Sequence, residues 1–326
     1  MPVPTSFEGS LTLPVVAAPM FLVSGPSLLI ENCKAGIVGT FPALNQRSSE
    51  GFAQWLQQID DALTEHEETS GKKPAPYGVN LIVHKTNPRL QADLDICVKH
   101  KVPLVITSLG AVSELVDAVH SYGGVVFHDV TNRKHGENAA KAGVDGLIAV
   151  SAGAGGHAGT VNPFALVQEL RSFFDKTLLL AGCINSGSDI ATALQMGADL
   201  AYIGTRFINT EESQADQAYK QMVMDCGSKD IIHTPAVSGV PASFLRPSME
   251  QAGYDMEKIL NPGEIDYGTK LKPMEEEAKA WKNVWSAGQG CAGINDVIPT
   301  AELVARMKTE FTSAIQQQAT LLTKYA

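Results

Sequence analysis

The chain has 326 residues, 44% of them hydrophobic and 18% charged, with 25 basic against 35 acidic side chains and a formal net charge of −10. That composition suits a folded chain with a sizeable core, and the acidic surplus works against nucleic acid or an anionic membrane surface, both of which draw basic faces. A small-molecule partner is the expectation. Cys33, Cys97, Cys183, Cys226 and Cys291 are odd in number and far apart, which fits neither a CxxC metal clip nor a dense disulfide framework.

The opening stretch "MPVPTSFEGSLTLPVVAAPM" lacks the basic start and long apolar core of a secretion signal, and no run of about 18 apolar residues occurs anywhere. A cytoplasmic protein without a membrane span is expected. Eight short runs rich in Val, Ile and Leu then follow in order: "VVAAPM" from Val15, "AGIVGTFPA" from Ala35, "YGVNLIV" from Tyr77, "VPLVITSLG" from Val102, "GVVFHDV" from Gly124, "VDGLIAVSA" from Val144, "TLLLAGCI" from Thr177 and "LAYIGTRF" from Leu200. Near-continuous apolar runs read as parallel strands covered on both faces. Between them "RLQADLDICVKH", "AVSELVDAVHSY", "NAAKAGVD" and "SDIATALQMGAD" read as helices. Eight such units in about 210 residues close a (β/α)8 TIM barrel, an α/β fold. An open doubly wound sheet fits less well, because the first turn, "APMFLVSGPS", carries no GxGxxG.

After Phe207 the rhythm breaks. Residues 208–297 hold Pro235, Pro241, Pro247, Pro262 and Pro273 and charged stretches such as "KPMEEEAKAWKNVW", and read as an inserted, mostly helical subdomain between strand eight and the last helix. The closing "TAELVARMKTEFTSAIQQQATLLTKYA" has helical spacing behind a capping Thr, so residues 1–207 and 298–326 form the barrel and 208–297 lie over its C-terminal mouth.

Two loops carry chemistry. After strands seven and eight, Gly182, Cys183, Ser186, Gly187, Gly204 and Thr205 lie where such barrels hold phosphate on main-chain N–H groups and a helix N-terminus. After strand six, "SAGAGGHAGT" surrounds His157 with small residues that leave the imidazole few packing neighbours. On these residues alone, a non-redox isomerase or lyase acting on a phosphorylated metabolite also fits. No carboxylate, His and Cys cluster has metal-ligand spacing.

"AGCINSGSDIATALQMGADLAYIGTRF" resembles the phosphate-binding half of FMN-dependent barrel enzymes, and "GAGGHAGTVNPFALV" with "APM", "YGVNLIV" and "WSAGQG" is similar to the nitronate monooxygenase family, formerly 2-nitropropane dioxygenases. The resemblance implies a bound FMN. Ala18, Pro19 and Met20 would then lie along the flavin ring, Asn80 and Ser108 on its pyrimidine or ribityl side, and Gly155, Gly156 and Gln289 beside it. Ala181, Gly182, Cys183, Gly204 and Thr205 would hold the phosphate. His157 would be the catalytic group, as general base or as donor to the substrate oxygens. The implied reaction turns a nitronate or nitroalkane and dioxygen into a carbonyl compound and nitrite, without a metal and with a homodimer as the candidate assembly. An NAD(P)H-dependent quinone or enoyl reductase shares the AGGH loop and is the alternative. His128 ends strand five and is a candidate pocket wall. Two positions depart from the family: Asp129 stands where some members carry lysine, and Cys183 stands where glycine is frequent, a substitution expected to keep that turn out of positive φ.

Overall fold

The computed structural model describes residues 3–84, 86–110, 112–260 and 284–325, the side chains of 322 and 323 apart. All eight apolar runs form strands: β1 (Val15–Ala17), β2 (Val38–Pro42), β3 (Tyr77–Ile82), β4 (Leu104–Ser108), β5 (Val125–Val130) and β6 (Gly146–Val150), then, after a two-residue strand β7 (Gly156–His157), β8 (Thr177–Ala181) and β9 (Leu200–Ile203). They close in the order β1-β2-β3-β4-β5-β6-β8-β9, with β9 returning parallel to β1 through Val16↔Tyr202. The barrel leaves no free edge.

Alternation along the strands separates two cores. Val16, Val38, Leu104, Ile106, Phe127, Ile148, Leu179 and Leu200 fill the interior, joined by Phe7, which meets Phe127 edge-on at 6.0 Å. The intervening residues, such as Val15, Val79, Val105, Leu147, Leu178 and Ala201, face the outer helices. Each such large side chain contributes about 1.5–3 kcal/mol by leaving water.

The outer layer contains α1 (Pro26–Lys34), α2 (Ser49–Ser70), α3 (Leu90–His100), α4 (Ser113–His120), α5 (Arg133–Lys141), α6 (Pro163–Arg171) and α7 (Gly187–Gln195). The fifth helix lies earlier than "NAAKAGVD" suggested. Asn132 caps it through the His135 N–H, and Gly143 at φ +91° ends it, so "GVD" belongs to the turn before β6.

A short helix α8 (Thr205–Ile208) leads into the insertion, which holds α9 (Gln217–Asp225), α10 (Arg246–Gln251) and α11 (Met256–Leu260). It also holds a hairpin, β10 (Ile231–Thr234) and β11 (Ala242–Leu245), whose second strand pairs antiparallel with β7. "KPMEEEAKAWKNVW" lies, up to residue 283, outside the described residues. The chain leaves and re-enters the barrel side by side, at the parallel bridge Thr210↔Ile298. The last helix, α12 (Thr300–Tyr325), begins with Thr300 bound not by its own cap but by Glu212 of the insertion, at 3.0 Å to its N–H and 2.7 Å to its hydroxyl.

α12 packs on α7 through Gly187. A Cβ there would drive into the Met307 carbonyl and the Phe311 N–H, while the Gly187 N–H donates to Glu310 at 2.7 Å. Gly187→Ala should therefore destabilise the protein by about 1–3 kcal/mol, as overpacking against backbone does. Denaturant unfolding monitored by circular dichroism checks this, and an unchanged midpoint would refute the tight approach.

Candidate active site

The C-terminal ends of the barrel strands gather most of the residues singled out in the sequence. His157 reaches the mouth on β7, held from outside the barrel: Ala242 pairs with His157 and Ser243 with Gly156. The Gly156 N–H donates to Ser286 Oγ at 2.7 Å, and that hydroxyl donates to the Ser243 carbonyl at 2.6 Å. Tyr219 binds both main-chain groups of Ser286, and its ring stacks on Trp285 at 5.1 Å and 7°. Ser286 lies inside "WSAGQG", but Tyr219 and Ser243 carry no sequence signal for this role.

The small residues before His157 serve close approach. A Cβ on Gly155 would stand 2.8 Å from Gly288 N, and Gly288 in turn donates to Thr205 Oγ1 at 2.9 Å. The Gln289 N–H donates to the Gly153 carbonyl at 2.8 Å, so the segment 287–290 lies directly on the loop. Gly155, Gln289 and Thr205 thus meet at one place.

A second polar group lines the barrel interior. Asn80 on β3 and Ser108 on β4 face inward, and Asn80 Nδ2 donates to Ser108 Oγ at 2.8 Å and to the Ile106 carbonyl at 3.2 Å. Ser108 donates to Asp129 Oδ2 at 2.5 Å. Burial pushes the Asp129 carboxyl up to about 6, against the opposing pull of the Ser108 hydrogen bond and of His157. His128 does not line the site: it alternates to the other face of β5, bonds Thr107 Oγ1 at 2.7 Å, and burial followed by His135 lowers it to about 4.

At the β1 end, Ala18 continues the ladder through its N–H to the Ile203 carbonyl, and Asn45 holds the Met20 carbonyl at 3.0 Å. A Cβ on Gly204 would meet Ala18 at 3.6 Å and Met20 Sδ at 3.7 Å, which places Ala18, Pro19, Met20 and Gly204 along one wall.

The β8 loop differs from expectation in two respects. Cys183 does not avoid positive φ; it adopts φ +57° directly after Gly182, with Sγ turned to the Gly153 carbonyl at 3.8 Å. Left-handed backbone costs a residue with a Cβ about 1–2 kcal/mol, and the loops packed on both sides hold it there. At the N-terminus of α7, moreover, several donors are in use: Asp189 accepts from Asn185 and Ser186 N–H at 2.9 Å each, Glu310 accepts from Gly187, and Ser186 Oγ accepts from Asp189 N–H. Main chain at 182–183 and 204–205, together with the Thr205 hydroxyl, remains for an anion; Ala181 N–H belongs to the β-ladder side of that turn.

Among the described residues no group of three or more His, Cys, Asp or Glu is arranged to hold a metal, and no helix is long and apolar enough to cross a membrane.

A family model described as nitronate monooxygenase matches residues 46–310. The nitronate monooxygenase of Paraburkholderia phytofirmans is 26% identical over 357 aligned positions, covering 93% of each chain. The (3aS,4S,5R,7aS)-5-hydroxy-7a-methyl-1-oxo-octahydro-1H-indene-4-carboxyl-CoA dehydrogenase of Rhodococcus jostii is 27% identical over 244 positions, 74% of this chain and 65% of its own. A nitroalkane oxidase structure from Streptomyces ansochromogenes shares the fold with a TM-score of 0.80 at 23% identity, over 96% of this chain and all of its own.

Gly155→Ala tests the packing of the loop. Pushing the 287–288 segment off it should cost about 1–3 kcal/mol, read as a lower thermal midpoint. Wild-type stability in that variant would contradict the contact with Gly288.

Proposed function

The chain belongs to the nitronate monooxygenase family and is an oxidoreductase, and from that premise we propose that it is an FMN-dependent enzyme that oxidises alkyl nitronates with dioxygen to a carbonyl compound and nitrite. The observation that carries the reading is the AGGH loop, fixed as strand β7 across the barrel mouth so that His157 stands at the strand ends.

The residues present fit the mononucleotide. Around Gly156 nothing lies within 4 Å of a built Cβ, and Gly204 leaves the wall of Ala18 and Met20 open to a flat ring. The Thr205 hydroxyl accepts from Gly288 and so keeps its own proton for a phosphate oxygen. Main chain at Gly182–Cys183 and Gly204–Thr205 would hold that phosphate, with Ala181 behind it, while Asn80 and Ser108 would face the pyrimidine or ribityl side and Gly155, Gly156 and Gln289 would close over the ligand. Bound FMN would supply the electron transfer from substrate and the reaction with dioxygen. The chain's own work is placement and proton handling: the 285–290 segment covers the mouth against water, and His157 takes the carbon proton of a neutral nitroalkane or donates to the oxygens of a nitronate.

The indene-carboxyl-CoA dehydrogenase relative favours one second reading, flavin chemistry on a different electron donor or acceptor, including NAD(P)H. Anaerobic spectral titration of the purified protein with an alkyl nitronate and then with NADH separates the two, since only the true reductant bleaches the flavin.

Two outcomes check the proposal. Mass spectrometry of the released cofactor should give FMN, because phosphate held after β8 and β9 ends the ligand there; FAD, or no flavin after reconstitution, overturns it. His157→Asn keeps a polar side chain but no base near neutral pH, so FMN content and thermal unfolding should stay close to wild type. Turnover of a neutral nitroalkane should fall by about 10² to 10⁴-fold, the usual contribution of general-base catalysis. A preformed nitronate already lacks that proton and should lose less. Equal survival of both activities would make His157 a bystander.

A further inference from the structure

A mouth that takes an anion contains a carboxyl group, and its surroundings explain how the two coexist. Asp129 occupies the next inward position after Phe127 on β5, at the same level as Ser108 on β4. The Ile106 carbonyl fixes the Asn80 amide, because a flipped amide would set two oxygens against each other. Hydrogen bonds therefore run one way, from the Asn80 N–H to the Ser108 O–H to Asp129 Oδ2. Asp129 Oδ1 is buried with no hydrogen-bond partner among the described residues.

A buried carboxylate with one oxygen orphaned is costly, and native proteins keep such groups chiefly where they act. Burial brings Asp129 to about 6, within reach of ordinary pH. A proton taken up settles on Oδ1, since Oδ2 already receives the Ser108 proton. The groups facing the carboxyl are Ser108 from β4, His157 from β7 and Tyr202 from β9, whose phenol is pushed up first by burial and then by the Asp129 charge. Of these only His157 offers a positive charge, and it is the same group assigned to the substrate.

We propose that Asp129 sets which charge state of substrate the site admits: as a carboxylate it repels an anion entering the mouth, and as the neutral acid beside Ser108 it lets the anion in. A neutral substrate passes in either state. The inference rests on the proposed nitronate chemistry and deepens it, making Asp129 a specificity-determining residue rather than a catalytic one. The sign follows from the raised proton affinity: below about pH 6 the acid is neutral and nitronate binding is unopposed, and above it the carboxylate charge weakens binding progressively.

The test is anaerobic stopped-flow reduction of the holoenzyme by an alkyl nitronate and by the corresponding nitroalkane, which yields a dissociation constant apart from the rate of reduction. Asp129→Asn is isosteric and holds the Ser108 hydrogen bond. At about pH 8 it should bind nitronate about tenfold more tightly than wild type, the two should converge near pH 5, and nitroalkane binding should change little. Ser108→Ala removes the hydrogen bond that favours the carboxylate, so it should move the weakening of nitronate binding to higher pH. Equal nitronate affinities at pH 8, or a difference that persists unchanged at low pH, overturns the inference. If neither compound reduces the flavin, the functional reading fails instead, and infrared difference titration still decides the carboxyl: a protonated-acid band that titrates near pH 6 and vanishes in Asp129→Asn supports its switching, and the absence of such a band refutes it.

Discussion

The hydrogen bond from the Gly156 N–H to Ser286, passed on to the Ser243 carbonyl, is the constraint on which the site depends. A loop as rich in glycine as 151–160 has little of its own to choose one conformation. Here it is paired as a strand with Ala242 and Ser243 and tied to Ser286, 130 residues away, which is itself fixed by the Tyr219 hydroxyl and the Tyr219–Trp285 stack. Three distant segments, at Gly156, Tyr219 and Ser243, converge on one residue, Ser286. Hydrogen bonds linked in this way reinforce one another in a low-dielectric setting, so residues 219–286 help to position His157 beside the barrel's own bond from the Gly159 N–H to the Val150 carbonyl.

The insertion can serve as that reference because its ends are anchored electrostatically. Arg206, only 2% exposed, gives one donor to the Asn209 carbonyl at 3.2 Å and pairs with Asp296 at 2.5 Å, where the chain returns. Arg306 of α12 binds the other oxygen of the same carboxylate at 2.6 Å, and its hydrogen bond is the main reason the Asp296 carboxyl lies below its ordinary range. A guanidinium this deeply buried is tolerable only when paired. Exit, return and last helix are thereby locked together through one acidic side chain, adjacent to the Thr210↔Ile298 bridge.

The barrel was legible in the sequence because a strand buried on both faces writes a continuous apolar run, and eight such runs leave little choice of closure. β7 was not legible, since two residues of Gly-His have no period and acquire strand geometry only from Ala242 and Ser243. The left-handed Cys183 escaped for a related reason: local preference forbids what packing against Gly153 and Gly290 enforces. Asp129 was visible only as a departure from a family pattern. Its significance lies in register, because one residue's shift along β5 separates it from His128, which faces the opposite layer and bonds Thr107.

That register also gives the mouth a polarity. In the closed order Asp129 on β5 stands two strands from β8 and three from β9. Asp189 and Glu310 already take the Asn185, Ser186 and Gly187 N–H groups, so a bound anionic tail would fall to main chain at 182–183 and 204–205 and to the Thr205 hydroxyl. Like charges repel, and a phosphate held at the turns after β8 and β9 would lie two to three strands away from Asp129 rather than beside it. A mononucleotide bound in the reverse sense would bring its phosphate against an orphaned carboxylate oxygen, with no side-chain cation from β3, β4 or β5 among those strands' described residues to offset it. In the proposed reading, the acid on β5 therefore disfavours the reverse orientation of a mononucleotide.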